Sequence, residues 1–259
     1  MKSESFSVQF KKRYEIFSQE VCEERRHFFS DETKSFLGDL YKYLAQYVEV
    51  IEEGSEYFRA RVHDFDVLSS TYIKTAHPRS GMKPVGNIRS LGRMNSYNVN
   101  VLYLAETPEI AISESRAPTD AAISVGTFKT TRSLRVINLS KEMNAYHYFF
   151  APLEENPLFT LSDLLSKPLD NEQHKGREYI PTQVISEFLH RECELDGVIY
   201  KSQFSAYDYN KVNAEAVISL DSLGLSGRNI CLFDVDSAEC GEINIWKLVR
   251  RINLCQKQA

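Results

Sequence analysis

The sequence predicts an α+β fold, a mixed β-sheet core with flanking helices and an N-terminal helical layer, on three observations. Residues 35–53 place Leu37, Leu40, Tyr41, Leu44, Tyr47, Val48 and Ile51 at the three-and-four spacing of an amphipathic helix. Beyond Gly54 the pattern changes to short strand-length runs at 57–62, 99–105, 124–128, 134–139, 197–200 and 216–220. Helical pieces and loops separate these runs, which mixes the two element types along one chain.

The elements follow in order. Residues 8–29 carry Phe10, Tyr14, Phe17 and Val21 on one face, which predicts a first helix packed on the second. Ser30-Asp31-Glu32-Thr33 supplies the turn and the N-cap between them, and Gly54 is the expected stop of the second helix. Residues 107–116 open Thr-Pro-Glu and predict a short helix with proline in its first turn. Residues 182–192 follow Pro181 and group Val184, Ile185, Phe188 and Leu189 on one side of another helix. The stretch 146–177 is loop-rich, with one short helix expected at 161–165, and residues 230–254 read equally as helix or strand. These patterns divide the chain into a helical extension, 1–53, and a main domain, 54–259.

Composition bounds the function. The 259 residues carry 31 Lys and Arg against 36 Asp and Glu, so a net charge of -5 gives no global attraction to nucleic acid or to an anionic membrane. The first residues are charged and lack an apolar h-region, and no apolar run approaches the length of a bilayer span, so a cytoplasmic protein is expected. Cys22, Cys193, Cys231, Cys240 and Cys255 are widely spaced with no C-x-x-C pair, and read as reduced thiols. No metal site is expected: Asp234-x-Asp236 opens like an EF-hand loop, but Ala238 stands where a third oxygen ligand belongs. Gly81-Met-Lys-Pro-Val-Gly86 lacks the Lys-Ser/Thr of a phosphate loop, and no G-x-G-x-x-G, H-E-x-x-H or G-x-S-x-G is present.

What remains is a set of polar residues on the predicted strands and their ends: Arg59 and Arg61, Arg93 and Asn95, Tyr103, Glu114 and Ser202. Converging guanidinium groups hold a diphosphate through paired donors without a glycine loop. An aromatic ring such as Tyr103 can stack on a planar base, and a carboxylate such as Glu114 can stabilise a cationic sugar centre. This is the inventory of a site that breaks a nicotinamide–ribose bond. Taken singly, each residue also fits a plain role: a solvated strand arginine, a half-buried tyrosine with a satisfied hydroxyl, a surface ion pair or a turn serine. Their conjunction is what points to chemistry.

Tyr57-Phe-Arg-Ala-Arg61, Gly92-Arg-Met-Asn95, Val101-Leu-Tyr-Leu-Ala-Glu106 with Ala111-Ile-Ser-Glu114, and Asp196-Gly-Val-Ile-Tyr-Lys-Ser202 occur in an order and spacing that resembles the RES domain family over residues 54–220. That resemblance implies a fold similar to ADP-ribosyltransferases and a toxin that depletes NAD as an NAD glycohydrolase or NAD phosphorylase. A protein ADP-ribosyltransferase, or a binding module without turnover, is the alternative. It further implies catalytic roles for Arg59, Tyr103, Glu114 and Ser202, and NAD contacts from Arg59, Arg61, Arg93, Asn95 and Tyr103. The asparagine that the family carries after its serine, in a glycine-containing stretch, matches Asn210 or Asn213, and Met94 replaces the tryptophan common after the second arginine. The implied partners are NAD as substrate, with no further cofactor, inorganic phosphate as one acceptor, and an Xre-type helix-turn-helix antitoxin. The helical layer offers a surface for a lid or for a homo-oligomer.

Overall fold

The computed structural model describes residues 6–25, 27–63, 75–84, 92–140, 157–166, 176–202 and 227–247. Helix α1 (Phe6–Gln19) runs into a π-helical turn, Glu20–Glu24, and α2 (Asp31–Leu44) follows with Ser30 as N-cap, its hydroxyl accepting the Thr33 N–H at 3.2 Å. Phe10, Phe17, Val21, Phe36, Leu37 and Leu40 are buried between the helices and the sheet, with the Phe17 and Phe36 rings stacked at 5.0 Å. Buried Glu20 closes the turn by accepting the Ser30 N–H at 2.7 Å and the Thr33 hydroxyl at 2.8 Å.

The second helix ends earlier than its periodicity suggests. Residues 45–47 form a 3-10 turn, and Val48–Ile51 become strand β1. Positions 44, 47, 48 and 51 satisfy a helical stripe and a β-rich run alike, and pairing with β5 (Leu134–Asn138), Ile51 opposite Leu134 and Val48 opposite Ile137, decides for the strand. Gly54 therefore serves a turn between strands, at φ +81°, rather than a helix stop.

The other strands are β2 (Glu56–Val62), β3 (Leu102–Ala105), β4 (Ala122–Thr130), β6 (Gly197–Lys201), β7 (Arg228–Leu232) and β8 (Ala238–Lys247). The stretch 230–254, ambiguous in sequence, thus supplies most of β7 and all of β8, whereas the expected strand at 216–220 lies outside the described residues. One mixed sheet results, in the order β1-β5-β6-β7-β3-β2-β4-β8, antiparallel except for the β5–β6 pair. Residues 131–133 join β4 to β5, five strands away, a gap of about 24 Å in a flat sheet. Four residue steps reach about 14 Å, so the sheet must curl. Its inner face accordingly collects Ile51, Leu104, Phe128, Leu134, Ile230 and Ala238 from both halves into one cluster.

The alternate residues Tyr103, Val198, Tyr200 and Cys231 point the other way, into a core shared with α1, α2, α5 (Pro157–Ser166) and α6 (Ile180–Arg191). Met94 lies in that core, which makes it a packing residue. The short helix α4 (Pro108–Glu114), with Thr107 as N-cap, packs on β2, β3 and β4, and α3 (Arg79–Met82) packs on β2 and β8. None of the described helices is long and apolar enough to cross a membrane.

Candidate active site

Strands β2 and β3 pair only through Phe58 and Ala105 and then part, although β2 continues to pair with β4 along its whole length. The gap opens a cleft of about 400 Å³. Arg59 and Tyr103 stand on its two flanks, Arg93 and Tyr179 come from the loops above, and Glu114 and Arg116 come from the end of α4. Tyr200 and Asn229 contribute from neighbouring strands of the same face.

Glu114 is held from the sheet side. Its Oε1 accepts the Ser202 hydroxyl at 2.6 Å and the Asn229 amide at 2.5 Å, and no hydrogen bond is made to Oε2 among the described residues. Two donors on one oxygen fix the rotamer and leave the second oxygen for a ligand. Both donors come from adjacent strand ends, Ser202 just past β6 and Asn229 on β7, so pairing of the two strands sets the carboxylate's position.

Arg93 sits on a turn with little freedom. The Gly92 N–H donates to Asn95 O at 3.1 Å, the Met94 N–H donates to the Tyr103 hydroxyl at 3.0 Å, and that hydroxyl donates to Asn95 Oδ1 at 3.1 Å. Helix α6 grips the same turn: Gln183 Nε2 donates to Gly92 O at 2.7 Å and to Asn95 O at 2.9 Å, and the Thr182 hydroxyl donates to Arg93 O at 2.5 Å. A Cβ on Gly92 would stand 2.1 Å from Asn95 Oδ1 and 2.8 Å from Tyr103 Oη, so only glycine lets the turn close on the tyrosine. Burial, reinforced by nearby Cys231 and Tyr200, pushes the Tyr103 hydroxyl well above the ordinary tyrosine pKa and keeps it neutral.

Arg59 brings a largely buried positive charge to the cleft wall. Its Nη1 is buried with no hydrogen-bond partner among the described residues. Burial, together with the nearby Arg61 charge, lowers its pKa from the usual guanidinium value. An anion beside it would relieve both effects.

The structure thus gathers Arg59, Arg93, Tyr103 and Glu114 around one cleft, with Ser202 bonded to Glu114 from behind. Two expected ligand contacts lie elsewhere. Arg61 is absent from the cleft wall and spends Nη1 on the Gly81 carbonyl at 2.5 Å, because the strand turns it toward α3. Asn95 is 5% exposed and its side-chain oxygen is taken by Tyr103, so it shapes the turn from behind the wall. Asn210 and Asn213 fall outside the described residues. The asparagine that meets Glu114 is Asn229, and Gly224 and Gly227 precede it, the glycine context expected for that residue. Arg116 was also missed; it follows α4 with φ +50°, a helix-stop conformation that carries an exposed guanidinium to the cleft. Thr182 and Gln183 reach the turn's backbone and not the cleft, whereas Tyr179 lines it.

A curled mixed sheet, parted between β2 and β3 into a cleft that holds a fixed carboxylate and three arginines, defines an α+β domain. This chain belongs to the RES domain family, whose profile matches residues 58–245. The match runs through β7 and most of β8, past the residue-220 limit that the short motifs suggest. Among curated proteins none matches significantly. Among solved structures, the crystal structure of the M.tuberculosis MbcT-MbcA toxin-antitoxin complex holds a similar chain at 14% identity and a TM-score of 0.40, over 80% of this chain and 92% of that one.

Proposed function

We propose that this protein cleaves the nicotinamide–ribose bond of NAD and acts as a toxin by depleting it. The observation that carries the reading is Glu114, pinned through Oε1 by Ser202 and Asn229 with Oε2 unbonded among the described residues, in a cleft that Arg59 and Arg93 also line. The arginines would hold the diphosphate, Arg59 through the buried Nη1 that lacks a partner. With the diphosphate there, the nicotinamide ribose extends toward Glu114.

The bond from C1′ to the ring nitrogen breaks with its electron pair going to nicotinamide, which leaves neutral. Positive charge spreads over C1′ and the ribose ring oxygen, and the adjacent carboxylate stabilises it. Because two donors already fix Glu114, little reorganisation is needed as the charge develops. Water as acceptor loses a proton and yields ADP-ribose; inorganic phosphate as acceptor yields its 1-phosphate ester. A toxin of this kind requires a neutralising partner, and a helix-turn-helix antitoxin that covers the cleft is the partner proposed.

Purified protein, freed of any copurified chain, is incubated with NAD in buffers with and without phosphate, and nicotinamide and the sugar nucleotide are separated by chromatography. Nicotinamide release supports the reading, and the product names the acceptor. Labelled protein without free sugar nucleotide would favour ADP-ribosylation of a protein, and a folded protein that releases nothing would end the proposal.

A further inference from the structure

The chemistry above leaves the Tyr200 side chain in the cleft wall unused. Tyr200, at the penultimate position of β6, is 4% exposed and lines the cleft. Its hydroxyl makes no hydrogen bond among the described residues. Tyr103, the other tyrosine on this part of the sheet, spends its hydroxyl on Met94 and Asn95. A tyrosine hydroxyl in a cleft wall with no protein partner among the described residues is open to a hydrogen bond from a ligand.

The surroundings indicate what it meets. Tyr200 stands opposite Asn229 in the β6–β7 register, and Ser202 is two residues on, so all three side chains share one face of the sheet. Two of the three grip Glu114. Tyr200 therefore stands beside the grip on Glu114, and Arg93 lines the same cleft. On the proposed reading, the carboxylate marks C1′ and the guanidinium marks the diphosphate. The part of NAD that spans those two points is the nicotinamide ribose.

We propose that Tyr200 is a substrate-contacting residue whose hydroxyl donates a hydrogen bond to a hydroxyl of the nicotinamide ribose. This rests on the NAD-cleaving reading and adds a determinant of substrate recognition to it. Burial keeps the phenol neutral at ordinary pH, so it acts as donor and not as base. A site built to pair a substrate hydroxyl discriminates against the analogue that lacks it, because the protein group is then left unpaired.

The test is Tyr200→Phe, assayed with NAD and with analogues lacking the 2′- or the 3′-hydroxyl of the nicotinamide ribose. Y200F is expected to melt near the wild-type temperature, since it removes no hydrogen bond among the described residues, and to lose about 10-fold or more in kcat/KM for NAD. The wild-type preference for NAD over one of the two analogues should shrink in Y200F by a similar factor. A lower melting temperature with unchanged discrimination would show that the hydroxyl serves the fold, and would overturn the proposal. Equal kcat/KM for Y200F and wild type on NAD would overturn it while leaving the NAD-cleaving reading intact. A folded wild-type protein that releases no nicotinamide from NAD would overturn both.

Discussion

Asn229 on β7 donates its side-chain amide to Glu114 at the end of α4, at 2.5 Å and across 115 positions of sequence. With the Ser202 hydroxyl on the same oxygen at 2.6 Å, it makes the sheet the mould for the carboxylate. A hydrogen bond to a charged group contributes about 1.5–3 kcal/mol. Asn229→Ala is therefore expected to lower kcat for nicotinamide release about 10- to 100-fold with a smaller change in KM. Ser202 is less buried than Asn229, so water can replace its hydroxyl and Ser202→Ala should cost less. Steady-state kinetics on both variants checks the order; a KM effect larger than the kcat effect would contradict it.

Gly92→Ala tests the turn that presents Arg93. The added methyl collides with Asn95 Oδ1 and with the end of the rigid Tyr103 ring. Overpacking of this kind costs about 1–3 kcal/mol. The melting temperature should fall, and KM for NAD should rise more than kcat falls, because Arg93 is displaced from the ligand. Thermal melts and kinetics check both, and an alanine variant with wild-type KM would refute this account of the turn.

Gln183→Leu addresses the same turn from α6. It leaves the Gly92 and Asn95 carbonyls without the amide that both now share. Loss of a buried partner costs about 1–3 kcal/mol of stability. Denaturant titration should report that loss, and Gln183→Glu, which keeps the shape and removes the donors, should lose a comparable amount.

Asp196 supplies a pH-dependent prediction. Burial works to raise its pKa, but donation from Arg132 Nη2 at 2.6 Å and from the Arg135 N–H at 2.7 Å outweighs this and holds the carboxyl below its ordinary value. A depressed folded-state pKa stabilises the fold at pH above the ordinary aspartate value of about 3.9, and the contribution is lost as pH falls through the folded-state value. Wild type should therefore melt above Asp196→Asn at pH 7, and the two should converge in strong acid. A gap that widens toward low pH would contradict the assignment.

The order and spacing of the short motifs single out Arg59, Arg93, Tyr103, Glu114 and Ser202 as candidates, and the structure brings the first four to one cleft with Ser202 bonded to Glu114. Asn229 was not legible that way. Gly224 and Gly227 before it are the one local signal, whereas its grip on Glu114 comes from a pairing with β6 that no local pattern encodes. Arg61 illustrates the converse. Strand alternation puts it on the side of Arg59, but the nearby Gly81 carbonyl captures it. Residues 48–51 misled for a third reason, since their spacing fits a helix and a strand and only the long-range partner β5 separates the two. The curl of the sheet, which creates the cleft, follows from strand order and not from any one segment.

The most direct measurement is nicotinamide release from NAD by wild type and by Glu114→Gln, whose amide oxygen can still accept from Ser202 and Asn229. The account predicts release by wild type, and loss of at least about 100-fold in the variant with melting temperature and NAD affinity little changed. Wild-type turnover by E114Q would contradict it.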